Sequence, residues 1–223
     1  MVRAILFDAA GTLIETTASV GECYSRIAGE YGVELPAWRL QDAFRRVHAG
    51  MPPMCFEDEP LPKIPAKEHG WWRELVRRTI LAADSTTRFA DFDGYFQALW
   101  EHFAAGASWR VRPGGRETLG ALRDQGVALG VVSNFDLRLT KILQELEIIE
   151  FFDCIILPGT HRLAKPDPRV FAPALAALGM NAAQCAYVGD EPEVDGVAAR
   201  GAGLRFVDVT QLDSLSRLTE VLG

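Results

Sequence analysis

Val2-Arg3-Ala4-Ile5-Leu6-Phe7-Asp8-Ala9-Ala10-Gly11-Thr12-Leu13 carries the first signal of the chain's architecture. Its first half is a short apolar run rich in strand formers and without alternation, the pattern of a strand covered on both faces. Asp8 stands where that strand ends, ahead of two small residues, a glycine and a hydroxyl. In open α/β sheets ligands bind outside the carboxyl ends of the strands. A carboxylate there is a nucleophile, a metal ligand or a helix cap, and Asp8 by itself does not choose among them.

The far half of the chain repeats the theme. After Trp109, helical patterns over 114–125, 137–146, 168–178, 194–200 and 213–222 alternate with buried-strand patterns over 127–132, 154–157, 185–188 and 204–207. That alternation predicts an α/β fold, a Rossmann-like doubly wound parallel sheet with helices on both faces. Three stretches fall at its strand ends or helix starts: Val132-Ser133-Asn134, Ala164-Lys165-Pro166-Asp167-Pro168, and Gly189-Asp190-Glu191-Pro192-Glu193-Val194-Asp195. With Asp8 they supply an anionic nucleophile, a hydroxyl donor, a cation and a carboxylate pair.

Between the two halves the pattern is helical. Helices are expected over 18–31, from Pro36 to Gly50, over 66–83 and over 91–105, with a proline-rich loop from Met51 to Pro65. Phe92, Phe96, Leu99, Trp100 and Phe103 share one helix face and read as core packing. The block therefore reads as a small all-helical cap over 16–106, inserted into a core made of 1–15 and 107–223.

The net charge of −7 and the absence of a basic stripe or tail argue against nucleic-acid and anionic-membrane partners. Cys23, Cys55, Cys154 and Cys185 show no paired spacing and read as thiols of a reducing compartment. The chain enters a core strand within its first residues, which leaves no room for a signal peptide, and no apolar run reaches membrane-spanning length. A cytoplasmic protein is expected; the oligomeric state is not legible.

In order and spacing the four motifs resemble the haloacid dehalogenase-like superfamily of phosphatases and dehalogenases. The resemblance covers residues 1–15 and 105–223. It implies phosphoryl transfer from a small soluble phosphate compound. Asp8 would be the nucleophile, Thr12 would brace its loop, and Lys165 would pair with Asp8 and the phosphate. Ser133, the Asn134 backbone N–H and the loop at Ala9 and Ala10 would bind the phosphoryl oxygens. Mg²⁺ would be held by Asp8, the Ala10 carbonyl and Asp190, with Asp195 as ligand or support. Asp167 reads as a helix cap, and Glu191 and Glu193 as surface residues.

One position departs from that pattern. The phosphatases of the superfamily carry a second aspartate two residues after the nucleophile, as general acid and base; here it is Ala10. General acid–base help is typically worth ~10²–10⁴-fold. Its loss implies a substrate with an acidic leaving group, a proton carrier lent by the cap (His48, His69, Lys63 or Lys67), or slow turnover. Hydrolytic dehalogenases also lack that aspartate but have no use for the Asp190/Asp195 pair. Phosphonoacetaldehyde hydrolases carry alanine there but need a Schiff-base lysine in the cap. A binding or regulatory protein with weakened turnover is the third alternative. The loop at Met51–Pro65 is expected to close over the site, with Glu57-Asp58-Glu59 facing solvent.

Overall fold

The computed structural model describes residues 2–222. In chain order it forms β1 (Ala4–Phe7), β2 (Ile14–Thr16), α1 (Val20–Glu30), α2 (Ala37–Ala49), α3 (Ile64–Ala83), α4 (Phe92–Ala104) and β3 (Trp109–Val111). There follow α5 (Gly115–Asp124), β4 (Ala128–Val132), α6 (Arg138–Glu145), β5 (Cys154–Ile156), the short α7 (Pro158–His161), and α8 (Ala172–Leu178). The chain ends with β6 (Cys185–Gly189), α9 (Val197–Gly201), β7 (Arg205–Asp208) and α10 (Leu218–Leu222).

Five strands make one parallel sheet in the order β5-β4-β1-β6-β7, with β1 at its centre. Strand side chains alternate between faces, and here both faces are covered. Ile5 and Phe7 pack with Leu129, Val131 and Val188 against α5, α6 and α10. Ala4 and Leu6 pack with Val132 and Tyr187 against α8 and α9. Burial on both sides is why these strands read as continuous apolar runs. Because the chain crosses from β5 to β6 past the centre, the ends of β1, β4 and β6 lie side by side at one edge. That is where a doubly wound sheet opens its crevice.

The helices α1–α4 enclose a hydrophobic core of their own, built from Tyr24, Ile27, Leu40, Val76, Ile80, Tyr95, Phe96 and Leu99. Ser19 and Glu22 form a reciprocal capping box that starts α1, and the Asp91 carboxylate caps α4 by accepting from Gly94 N–H. Helix α3 begins at Ile64, ahead of the expected start, because Pro65 sits in the first turn where its missing N–H is harmless. Pro173 is tolerated in the first turn of α8 for the same reason. The stretch expected as one helix over 194–200 is a π-helical turn, Pro192–Gly196, leading into α9.

The sequence pattern did not disclose β2 and β3. These short segments pair antiparallel, with Glu15 opposite Arg110 and an ion pair between them at 2.8 Å. They carry the chain out to the helices and back as one ribbon. Three-residue strands fall below the length at which alternation is visible. Among the described residues no helix is long and apolar enough to cross a membrane.

Candidate active site

Asp8 N–H donates to the Val188 carbonyl at 2.9 Å, which carries β1 one residue further to the open edge of the sheet. There the chain turns sharply: the Ala9 carbonyl accepts from the N–H groups of Thr12, Leu13 and Ile14 at 3.2, 2.8 and 3.0 Å. The turn places Gly11 at φ +85°, a conformation glycine adopts without strain, and a side chain there would run into the Asp190 carboxylate. Among the described residues, the N–H groups of Ala9, Ala10 and Asn134 donate to no protein acceptor, and the Ala10 carbonyl accepts from no protein donor. Backbone groups left free at a strand end are ready for a ligand.

Lys165 is 4% exposed, and its ammonium uses all three donors. It donates to Asp8 Oδ1 at 2.8 Å, Asp195 Oδ1 at 2.6 Å and the Tyr187 hydroxyl at 2.7 Å. Burial alone would pull its pKa down, but the two carboxylates outweigh that and hold it above the ordinary lysine value. Asn134 fixes the lysine backbone from across the crevice. Its side-chain oxygen accepts from Lys165 N–H at 2.8 Å, and its amide donates to the Lys165 carbonyl at 2.9 Å. Ser133 is 3% exposed, lines the same cavity as Asp8, and accepts at Oγ from Phe135 N–H at 3.3 Å.

Asp8, Asp190 and Asp195 each bring a carboxylate oxygen within 4.8 Å of the others. Three carboxylates against one ammonium leave the cluster two charges negative. Burial, and then the neighbouring Asp8, push the Asp190 pKa up to about 6. Such crowding favours a cation. The donor set suits a hard ion that takes oxygen ligands: Asp8 and Asp190 each keep one oxygen without a protein donor, and the Ala10 carbonyl is free. Asp195 is differently placed. Its Oδ1 takes Lys165, and its Oδ2 accepts from the N–H groups of Asp190 and Glu191, both at 3.1 Å. It thus supports the lysine and the Asp190 loop. The absent side chain of Gly189 leaves room for it.

The remaining expectations divide. Thr12 Oγ1 donates to Asp190 Oδ1 at 3.0 Å and so ties the Asp8 loop to the Asp190 loop. Asp167 accepts from Arg169 N–H at 2.9 Å and is a cap, as expected. Glu57 and Asp58 face solvent, while Glu59 is half-buried against Lys67 at 2.6 Å. Arg162 holds the backbone of that loop by donating to the Glu57 and Glu59 carbonyls at 3.2 and 2.8 Å. Of the four suggested proton carriers only His48 lines the cavity with Asp8. Desolvation among Phe44, Trp71 and Trp72 lowers its pKa.

The cavity, about 700 Å³, lies between the sheet edge and the helices, with Met51, Pro52, Pro53 and Met54 along one side. The aromatic face of α4 has a double role: Phe96 and Leu99 are buried core, yet they also line this cavity with Trp100 and Phe103.

Several residues escaped sequence reasoning. Tyr187 accepts from Lys165 and donates to the Val132 carbonyl at 2.8 Å; its only sequence signal was a polar tip inside an apolar strand. Burial, with Asp8 and Asp195 nearby, keeps its hydroxyl neutral by raising its pKa well above the ordinary value. Asp136, fully buried, accepts from Trp72 Nε1 at 2.8 Å and from the Arg138 guanidinium at 2.8 and 2.6 Å. Glu68 of α3 accepts at Oε2 from Leu137 N–H at 3.2 Å. Nothing near Asp136 or Glu68 in sequence marks them.

Comparison with known proteins agrees with this geometry. The family of haloacid dehalogenase-like hydrolases matches residues 2–203. "Haloacid dehalogenase-like hydrolase domain-containing protein 3" of Danio rerio is 32% identical, covering 92% of this chain and 83% of its own. A phosphoglycolate phosphatase of Cereibacter sphaeroides is 34% identical over 61% of this chain and 63% of its own. The L-2-haloacid dehalogenase of Xanthobacter autotrophicus has a similar structure, with TM-score 0.67 and 18% identity over 100% of this chain and 82% of that one. The same fold thus carries phosphatase and dehalogenase chemistry, and the site must decide between them.

Proposed function

The chain belongs to the haloacid dehalogenase-like hydrolases, and from that membership we propose that it is a Mg²⁺-dependent phosphohydrolase acting through an aspartyl-phosphate on Asp8. The observation that carries this is the buried group of Asp8, Asp190 and Asp195 around Lys165. A dehalogenase expels halide from an uncharged carbon and has no need of three crowded carboxylates. A phosphate dianion approached by a carboxylate does need the charge cancelled.

Asp8, the Ala10 carbonyl and Asp190 would hold the ion, which supplies the positive charge that lets one anion approach another. The free N–H groups of Ala9, Ala10 and Asn134, with the Ser133 hydroxyl, would take the phosphoryl oxygens. Lys165 holds Asp8 in one orientation, and Asp195 and Tyr187 hold the lysine. Asp8 attacks phosphorus in line, the leaving oxygen departs, and water later cleaves the aspartyl-phosphate.

Residues 16–106 would act as the cap and 1–15 with 107–223 as the core, the cap's own hydrophobic core and the β2–β3 ribbon supporting that division. A Schiff-base role for a cap lysine is disfavoured, because Lys67 pairs with Glu59 and neither Lys63 nor Lys67 lines the cavity. All four cysteines are free, which suits a reducing compartment such as the cytoplasm. The test is a Mg²⁺-dependent screen of phosphorylated metabolites with Asp8→Asn as control. Metal-dependent orthophosphate release that the substitution abolishes is the expected result. Halide release from 2-halo acids without metal would overturn the proposal.

A further inference from the structure

The cavity beside Asp8 is an aromatic chamber whose lining cations, Arg138 and Lys165, are both paired with carboxylates. Nine aromatic side chains line it, among them Tyr24, Phe44, Trp71, Trp72 and Trp100. Arg138, whose side chain is 12% exposed, has its charge met by buried Asp136 and three of its five N–H donors engaged. Its guanidinium takes both oxygens of buried Asp136, donates to the Trp100 carbonyl at 3.1 Å, and lies 3.6 Å from the centroid of the Trp100 ring. Lys165, the other lining cation of permanent charge, is saturated by Asp8, Asp195 and Tyr187. A carboxylate or a second phosphate on the substrate would be desolvated there with poor compensation. A flat uncharged ring would instead gain the full benefit of burial and edge or face contact.

The nucleophile's loop points the same way. Ala10 lines the cavity and offers no proton to the leaving oxygen, which favours one that departs as a stable anion. An oxygen attached to a ring or to an aroyl carbonyl does so; a sugar alkoxide does not.

We propose that the substrate is the monophosphate of an aromatic, otherwise uncharged body, an aryl or aroyl phosphate, with its ring seated among Phe44, Trp71, Trp72 and Trp100. This rests on the phosphohydrolase reading above and narrows it. The Asp8 Oδ–P bond forms as the P–O bond to the aryl or aroyl oxygen breaks, and that oxygen keeps the electron pair. Water then attacks phosphorus, the P–O bond to Asp8 breaks, and orthophosphate leaves with the regenerated carboxylate. The net reaction consumes one water.

Benzoyl phosphate and acetyl phosphate share an acyl leaving group and differ by the ring. With the full chain and Mg²⁺, kcat/KM for benzoyl phosphate should exceed that for acetyl phosphate at least tenfold, the return expected for burying a ring. In Phe44→Ala that ratio should fall at least threefold. 2-Naphthyl phosphate should likewise surpass phosphoglycolate. Equal or reversed preferences in the wild-type chain would overturn the substrate class while leaving the phosphohydrolase reading intact. Absence of Mg²⁺-dependent phosphate release from all four compounds would sink both.

Discussion

Lys165 Nζ lies 2.6 Å from Asp195 Oδ1, and both groups are almost wholly buried. The pair is built like a bracket: the same carboxylate that seats the lysine also accepts from the backbone of Asp190 and Glu191. Removing one member of such a pair leaves a buried charge unpaired. Asp195→Asn should therefore lower kcat by about 10–100-fold, as the loss of a supporting group to a metal ligand typically does. Steady-state kinetics over a Mg²⁺ titration checks this, and the apparent Mg²⁺ requirement should rise with the loss.

Gly11 serves both the turn and the carboxylate behind it. Gly11→Ala forces a side chain into left-handed backbone at φ +85° and against Asp190. A cost of about 1–3 kcal/mol is expected, lowering Tm by several degrees, together with weaker Mg²⁺ binding. Thermal melts with and without Mg²⁺ would read both effects.

Ala10→Asp places a carboxyl in the cavity beside Asp8. Turnover of alkyl phosphates, whose leaving oxygen needs a proton, should rise about 10²-fold. Aroyl phosphates should change little, since their leaving group departs as a carboxylate. A uniform change across both classes would mean that Ala10 does not set the leaving-group requirement.

On the proposed function, protons and Mg²⁺ would compete for Asp190. With its pKa pushed up to about 6, Mg²⁺ binding must displace a proton below that pH and none above it. Apparent Mg²⁺ affinity, followed by calorimetry, should be flat from pH 7 to 8. Below pH 6 it should fall by up to about tenfold per unit.

Glu68 is 2% exposed, its Oε1 has no hydrogen-bond partner among the described residues, and burial first, then Asp136, raises its pKa to about 7. The folded chain therefore holds a proton that the unfolded chain releases near its ordinary value of 4.5. Stability from this group is greatest below pH 4.5, declines as pH rises to about 7, and is level beyond. Glu68→Gln should leave Tm unchanged at pH 4.5 and raise it by roughly 2–4 °C at pH 8.

Local pattern was enough to read the α/β class, a first strand covered on both faces and the residues that end such strands. These are local patterns: a strand buried on both faces needs an unbroken apolar run, and the residue that ends it lies at the sheet's edge whatever surrounds it. Asp8, Ser133 and Asp190 were therefore legible one motif at a time, and Lys165 through the Pro-Asp-Pro that follows it. Tertiary structure alone decided which atoms meet. Thr12 turns to Asp190 across 178 positions, Asn134 clamps the backbone of Lys165, and Tyr187 reaches out of a core strand to the ammonium. The face of α4 shows the same limit. Periodicity identified Phe96, Leu99, Trp100 and Phe103 as an apolar stripe. That this one face both packs into core and walls a cavity beside Asp8 depends on how the helices seat against the sheet, because side-chain direction is fixed only by what the backbone packs upon.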